Sequence, residues 1–132
     1  MRNGNLKKIY FFFTIINFFL LNSAYAEPIN GNLVSLQILD KITSRLETID
    51  IKVGDIVKYG SLQIEIFVCK KRPPEEIPED FVLMRIYDEI KPDNLERIFQ
   101  GWMISSSPTV APFEHPIYDI WVDDCKIVKD SE

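Results

Sequence analysis

Histidine, cysteine and glycine are all scarce in this chain: one histidine, two cysteines and five glycines stand among 132 residues. A zinc site takes three or four ligands, mostly Cys and His, so that supply argues against a metal centre, and no cofactor is expected. The Gly-x-Ser-x-Gly elbow that presents a serine nucleophile is missing. No internal repeat or low-complexity tract follows residue 26, and no later apolar run reaches the roughly 20 residues that a bilayer-spanning helix needs. Residues 27–132 are also short of positive charge, with 12 basic side chains against 20 acidic ones, a net charge of −8. Such a surface repels phosphate backbones and anionic lipid, so nucleic acid is not an expected partner.

The first 26 residues differ from the rest. They hold Arg2, Lys7 and Lys8 and no acid. A Phe-rich apolar run of 13 residues, 9–21, is interrupted by Thr14 and Asn17 and ends in Asn22-Ser23-Ala24-Tyr25-Ala26. A basic start, a short apolar stretch and small residues at Ala24 and Ala26 have the form of a cleavable secretory signal. The run is short for a retained anchor, and no Cys at the site offers a lipid attachment. The expectation is a signal peptide over residues 1–26, cleaved after Ala26, and a single periplasmic domain over 27–132 with no stable membrane insertion once the signal is gone.

Both cysteines lie in that domain, 56 positions apart. In an oxidising compartment two cysteines point to one disulfide, Cys69 with Cys125. Closing such a loop stabilises by about 4 kcal/mol in the chain-entropy treatment, a large part of the roughly 5–15 kcal/mol that a domain has in total.

Period-two alternation of apolar and polar residues marks strands. Val34, Leu36 and Ile38 share one face, as do Ile49, Ile51 and Val53, and Leu62, Ile64, Ile66 and Val68. Turns at Val53-Gly54-Asp55 and Tyr59-Gly60-Ser61 make residues 46–69 read as a three-stranded meander. Residues 81–87 are apolar on both faces with Arg85 as the only charge, which predicts a central strand; 97–104 and 117–127 are further strands, with room for one helical turn in 90–98. The fold class expected is all-β, a small antiparallel sandwich or barrel of about seven short strands with one disulfide.

Two segments cannot continue a sheet. Residues 70–79, opening Lys70-Lys71-Arg72-Pro73-Pro74, lose backbone donors to proline and read as a stiff exposed excursion. A stiff loop loses little entropy on binding, which makes it the leading interaction candidate. Residues 105–116 hold three serines and three prolines before Ile117 and carry His115. A catalytic reading pairs His115 with one of Ser105, Ser106 and Ser107 and with Asp119; the alternative is that it orders its loop by hydrogen bonding. Glu114, Asp119, Asp123 and Asp124 are read as a solvated strand edge rather than a calcium site, which needs six to eight oxygens. Phe99, Trp102, Phe113, Tyr118 and Trp121 form an aromatic second half, expected mostly in the core.

Several stretches carry a resemblance: Leu39-Asp40-Lys41-Ile42-Thr43, Cys69-Lys70-Lys71-Arg72-Pro73-Pro74-Glu75-Glu76, Gly101-Trp102-Met103, Ser106-Ser107-Pro108 and Glu114-His115-Pro116, with Tyr118-Asp119, Trp121 and Cys125. Over residues 33–125 the chain resembles an exported alphaproteobacterial family catalogued as domain of unknown function 2155. The resemblance implies a bacterial periplasmic protein and brings no reaction or cofactor with it. It draws attention to Lys71, Arg72, Pro73, Pro74, Trp102 and His115 as motif positions, and it leaves the tail from residue 126 outside, where fraying is expected.

The function expected is non-enzymatic binding of an envelope protein or glycan through Lys71, Arg72, Pro73, Pro74 and Trp102. The alternatives are a periplasmic hydrolase built on His115, or an inhibitor or accessory factor of an envelope enzyme with residues 70–79 as its wedge.

Overall fold

The computed structural model describes residues 3–19 and 26–129. Ala24 of the expected cleavage site and residues 130–132 of the tail lie outside them. The leader forms helix α1 (Asn3–Phe19), and no helix among the described residues is long and apolar enough to cross a membrane.

Eight strands make two antiparallel sheets packed face to face. The first holds β2 (Leu33–Asp40) between β3 (Arg45–Lys52) and β8 (Tyr118–Lys126). A tight hairpin joins β2 to β3 in register from Leu33 opposite Lys52 to Asp40 opposite Arg45. Its turn is closed by the Asp40 carboxylate, which accepts the N–H of Ile42 at 2.9 Å and of Thr43 at 3.1 Å, the side-chain turn that Asp favours. The second sheet runs β1 (Ile29–Asn30), β5 (Leu62–Lys71), β6 (Asp80–Lys91), β7 (Asn94–Ile104), with β4 (Ile56–Tyr59) beside β1 on the same edge of β5. A 3-10 turn, η1 (Pro108–Val110), follows β7.

The expected sandwich stands, and β6 is central as read. The meander over residues 46–69 does not. β3 belongs to the first sheet, so the chain crosses to the second at Val53-Gly54-Asp55 and only β4 and β5 form a hairpin. Alternation gives a strand's faces but not its neighbour, which is why the crossing was not visible. Residues 90–98 hold no helical turn; β6 reverses into β7 through Asp93 at φ 64°. The tail is tied down as far as Val128: the Asn32 amide donates to Val128 O at 2.6 Å and accepts Val128 N–H at 2.7 Å.

The core between the sheets is aliphatic. Val34, Leu36 and Ile38 of β2 and Ile120 and Val122 of β8 face Leu62, Ile64 and Ile66 of β5 and Val82, Met84 and Ile86 of β6. Each such side chain, fully removed from water, contributes roughly 1.5–3 kcal/mol before the entropy of ordering is set against it. Tyr59 of β4 adds a tie between the sheets, donating its hydroxyl to Glu47 of β3 at 2.6 Å. That bond pushes the phenol's pKa up to about 12.

Cys69 and Cys125 join the two sheets, with Cα atoms 5.9 Å apart. Strict alternation would put Cys69 on the face opposite Ile66 and Cys125 opposite Val122. A β-bulge in each strand prevents that: register shifts between Ile66 and Val68 on β5, and on β8 where Ser35 and Leu36 face Asp124 and Val122. One extra residue turns the alternation over, so both cysteines point inward and are fully buried. Val68, expected on the core face, is turned outward by the same bulge. The strap from β1 to β2 passes directly over the bond, with Gly31 N–H donating to Cys69 O and Asn32 N–H to Lys126 O. A Cβ on Gly31 would run into Sγ of both cysteines and lie 2.9 Å from Lys126 O. Gly31→Ala should therefore lower the unfolding free energy of the oxidised domain by about 1–3 kcal/mol, the usual cost of overpacking. Urea denaturation checks this, and an unchanged midpoint would show that the strap yields freely.

Candidate functional site: the outer face of the five-stranded sheet

β6 alternates regularly. Asp80, Val82, Met84 and Ile86 are buried toward the core, while Phe81, Leu83, Arg85 and Tyr87 stand on the other side, half-buried. That other side has no layer over it among the described residues. Register fixes who stands beside whom: Lys70, Phe81 and Ile104 form one row, Val68, Leu83 and Trp102 the next, then Glu65, Arg85 and Gln100. Rows lie about 7 Å apart along the strands and strands about 4.8 Å apart, so the first two rows make one apolar plane. Trp102 is its most open member, 43% exposed.

Two arginines lie over this plane. The Arg72 guanidinium sits 5.7 Å from the Phe81 ring centre. Arg85 lies 4.8 Å from the ring of Phe67, the bulge residue, and 5.9 Å from that of Tyr87, whose hydroxyl oxygen accepts from Arg85 Nη1 at 3.0 Å. Cation–π contacts of this kind contribute about 0.5–1 kcal/mol where exposed. Each also has an ion pair beyond hydrogen-bond distance, Glu76 at 3.8 Å from Arg72 and Glu65 at 3.7 Å from Arg85, and Arg85 Nε is buried with no hydrogen bond.

The residues singled out from sequence divide. Arg72 and Trp102 come together on this face, across Phe81 and Leu83. Lys71 turns the other way. Its ammonium donates to Asp124 at 2.6 Å, with Asp80 at 3.7 Å, beside the disulfide. The bond to Asp124 raises the lysine's pKa, while burial raises that of Asp80. Pro73 is buried and Pro74 exposed. The proline loop is drawn shut by Arg72 N–H on Glu79 O at 2.9 Å, with an inner turn from Glu76 N–H to Pro73 O. Phe67, Phe81, Leu83, Arg85 and Ile104 were not singled out. Their signal was the two-sided apolarity of residues 81–87, read as double burial when one side stays open.

His115 does not meet a nucleophile. It is buried, stacked between Phe113 and Tyr118. Its Nδ1 accepts the N–H of Ile117 and of Tyr118, each at 3.2 Å, so the proton sits on Nε2, which donates to Asp88 at 3.0 Å. The serines serve Glu79, whose carboxylate accepts from Ser105 Oγ, Ser106 Oγ and Ser106 N–H. Asp119 pairs with Lys41 at 3.1 Å. The convergence that a hydrolase on His115 requires is absent, and the ring orders its loop instead.

Residues 34–125 match the family described as an uncharacterized protein conserved in bacteria, DUF2155. This chain belongs to the DUF2155 family. The DUF2155 match spans both cysteines, the proline loop, Trp102 and His115. An uncharacterized protein of Rickettsia prowazekii is 35% identical over 96 residues, 73% of this chain, and the chain spans 60% of that relative's length. No solved structure matches.

Among the described residues no group of three His, Cys, Asp or Glu is placed to hold a metal. The acids near the end of β8 go to separate partners, Asp123 to Gln37 and Asp124 to Lys71. The His115–Asp88 pair makes a stability prediction. Burial alone would raise the Asp88 pKa, but hydrogen bonds from Ser61 and His115 outweigh it and the net shift is downward. A carboxylate depressed by folding adds stability above its unfolded value, about 3.9 for Asp, and that stability is lost as pH falls through the folded value. Asp88→Asn should accordingly be less stable than wild type at pH 7 and show a shallower acid limb below about pH 4. Thermal unfolding across pH reads this; parallel acid limbs would remove Asp88 from the account.

Proposed function

We propose that this DUF2155 protein is exported to the periplasm and acts there, without catalysis, as a binding domain for a cell-envelope component through the outer face of its five-stranded sheet. The observation that carries the reading is the uncovered plane of Phe81, Ile104, Val68, Leu83 and Trp102, with Arg72 over Phe81 and Arg85 over neighbouring Phe67. Contiguous apolar patches on small domains mark interaction sites, and Trp and Arg lead among residues that carry interface energy. Export rests on the basic start, apolar run and small-x-small site of residues 1–26. The engaged nitrogens of His115 favour binding over hydrolysis.

Trp102→Ala is expected to leave the fold intact, shifting stability by about 1 kcal/mol or less, while abolishing recovery of the partner in a pull-down from envelope extracts. A loss of stability with unchanged recovery would move the binding surface elsewhere. Deleting residues 1–26 should leave the protein in the cytoplasm in cell fractionation; continued appearance in the periplasm would refute the signal assignment.

A further inference from the structure

We infer that the occupant of this face is an acidic protein segment bearing apolar side chains, a deepening that rests on the binding-domain reading above. The charge on the face runs against the charge of the domain. Residues 27–132 carry −8, yet the outward positions of β5, β6 and β7 hold Lys70, Arg85 and Arg97 against the acids Glu65 and Glu89, the latter paired with Lys58 of β4 at 3.8 Å, and Arg72 stands beside them. Lys70 and Arg97 form no ion pair among the described residues; Arg97 donates only to Gln100, at 3.1 Å. Arg72 and Arg85 have acids no closer than 3.8 and 3.7 Å. A cationic face on an anionic domain steers acidic partners toward it and turns them to one orientation.

The apolar rows decide between a protein and a glycan. A sugar site sets hydrogen-bonding side chains around an aromatic platform, because each buried hydroxyl needs a partner. Around Trp102 the register places Leu83 beside it, Val68 beyond Leu83 and Ile104 on one neighbouring row, none with a side-chain donor or acceptor, and leaves hydrogen-bonding side chains to the other neighbouring row, at Gln100 and Arg85. Sugar hydroxyls over Val68, Leu83 and Ile104 would be stripped of water without replacement, whereas Leu, Phe or Val side chains lose nothing there. Apolar side chains over these rows and carboxylates toward Lys70, Arg72, Arg85 and Arg97 satisfy the face at once.

The test uses the full-length protein expressed in its own cells, with photoreactive benzoyl-phenylalanine replacing Gln100 beside Trp102, or replacing Thr48 on β3 as the control. The expected result is a protein adduct at position 100 only. Its crosslinked segment, sequenced by mass spectrometry, should be net acidic, and the adduct should disappear when Lys70→Glu and Arg97→Glu are introduced together. A synthetic copy of that segment should bind the wild-type domain at least about tenfold more tightly than the doubly charge-reversed one. A captured segment that is not acidic, or an adduct that survives charge reversal, overturns the proposal. A muramidase-sensitive glycan adduct at position 100 overturns it too, while leaving the binding-domain reading in place. No adduct at position 100 overturns both.

Discussion

A disulfide between two sheets demands that each cysteine face inward, and here neither would by simple alternation. Cys69 follows Ile66 by three residues and Cys125 follows Val122 by three, whereas side chains on one face of a regular strand are separated by even numbers. The bulge in β5 and the bulge in β8 each supply the missing residue. On β5 the consequence reaches well past Cys69. Turning Cys69 inward turns Phe67 and Val68 outward together, sends Lys70 to the outer face and Lys71 to the inner one. The apolar plane on the outside thus depends on one extra residue in β5, and the covalent bond on the inside on that residue and its counterpart in β8.

Polar groups close the sandwich at both ends of β6. At one end Asp80 is buried beside Lys71, which also holds Asp124 of β8. At the other the Asp88 carboxylate accepts a hydrogen bond from His115 Nε2–H, while Nδ1 of the same ring holds the backbone that enters β8. A buried carboxylate is costly without a partner, so each of these acids constrains where β8 begins or ends. Lys71 and His115 are motif positions that in this structure tie β8 to the ends of β6.

β6 itself carries two functions on alternate residues. Its even positions build the core; its odd positions build the surface on which Arg72 and Trp102 meet. The arginines lie over aromatic rings and keep their charge beside the apolar rows, in a domain whose net charge is strongly negative. Apolar area and concentrated opposite charge together distinguish this face from the charged edge at β3.

The amino-acid sequence determined the class of fold, the central place of residues 81–87 and the pairing of the only two cysteines, because period-two alternation and a count of two leave little choice. Arg72 and Trp102 were legible as individuals from their motifs. What the sequence did not carry was register. The bulge in β5 reversed the facing of everything after Phe67, turned Lys71 inward, and put Arg72 on the same face as Trp102, 30 positions away. The crossing at Gly54 and the pairing of His115 with Asp88 are of the same kind. Each depends on which strand lies next to which, a contact between distant residues that local pattern does not encode. Only the packed sheets decided which side of β6 would be covered and which would be left open.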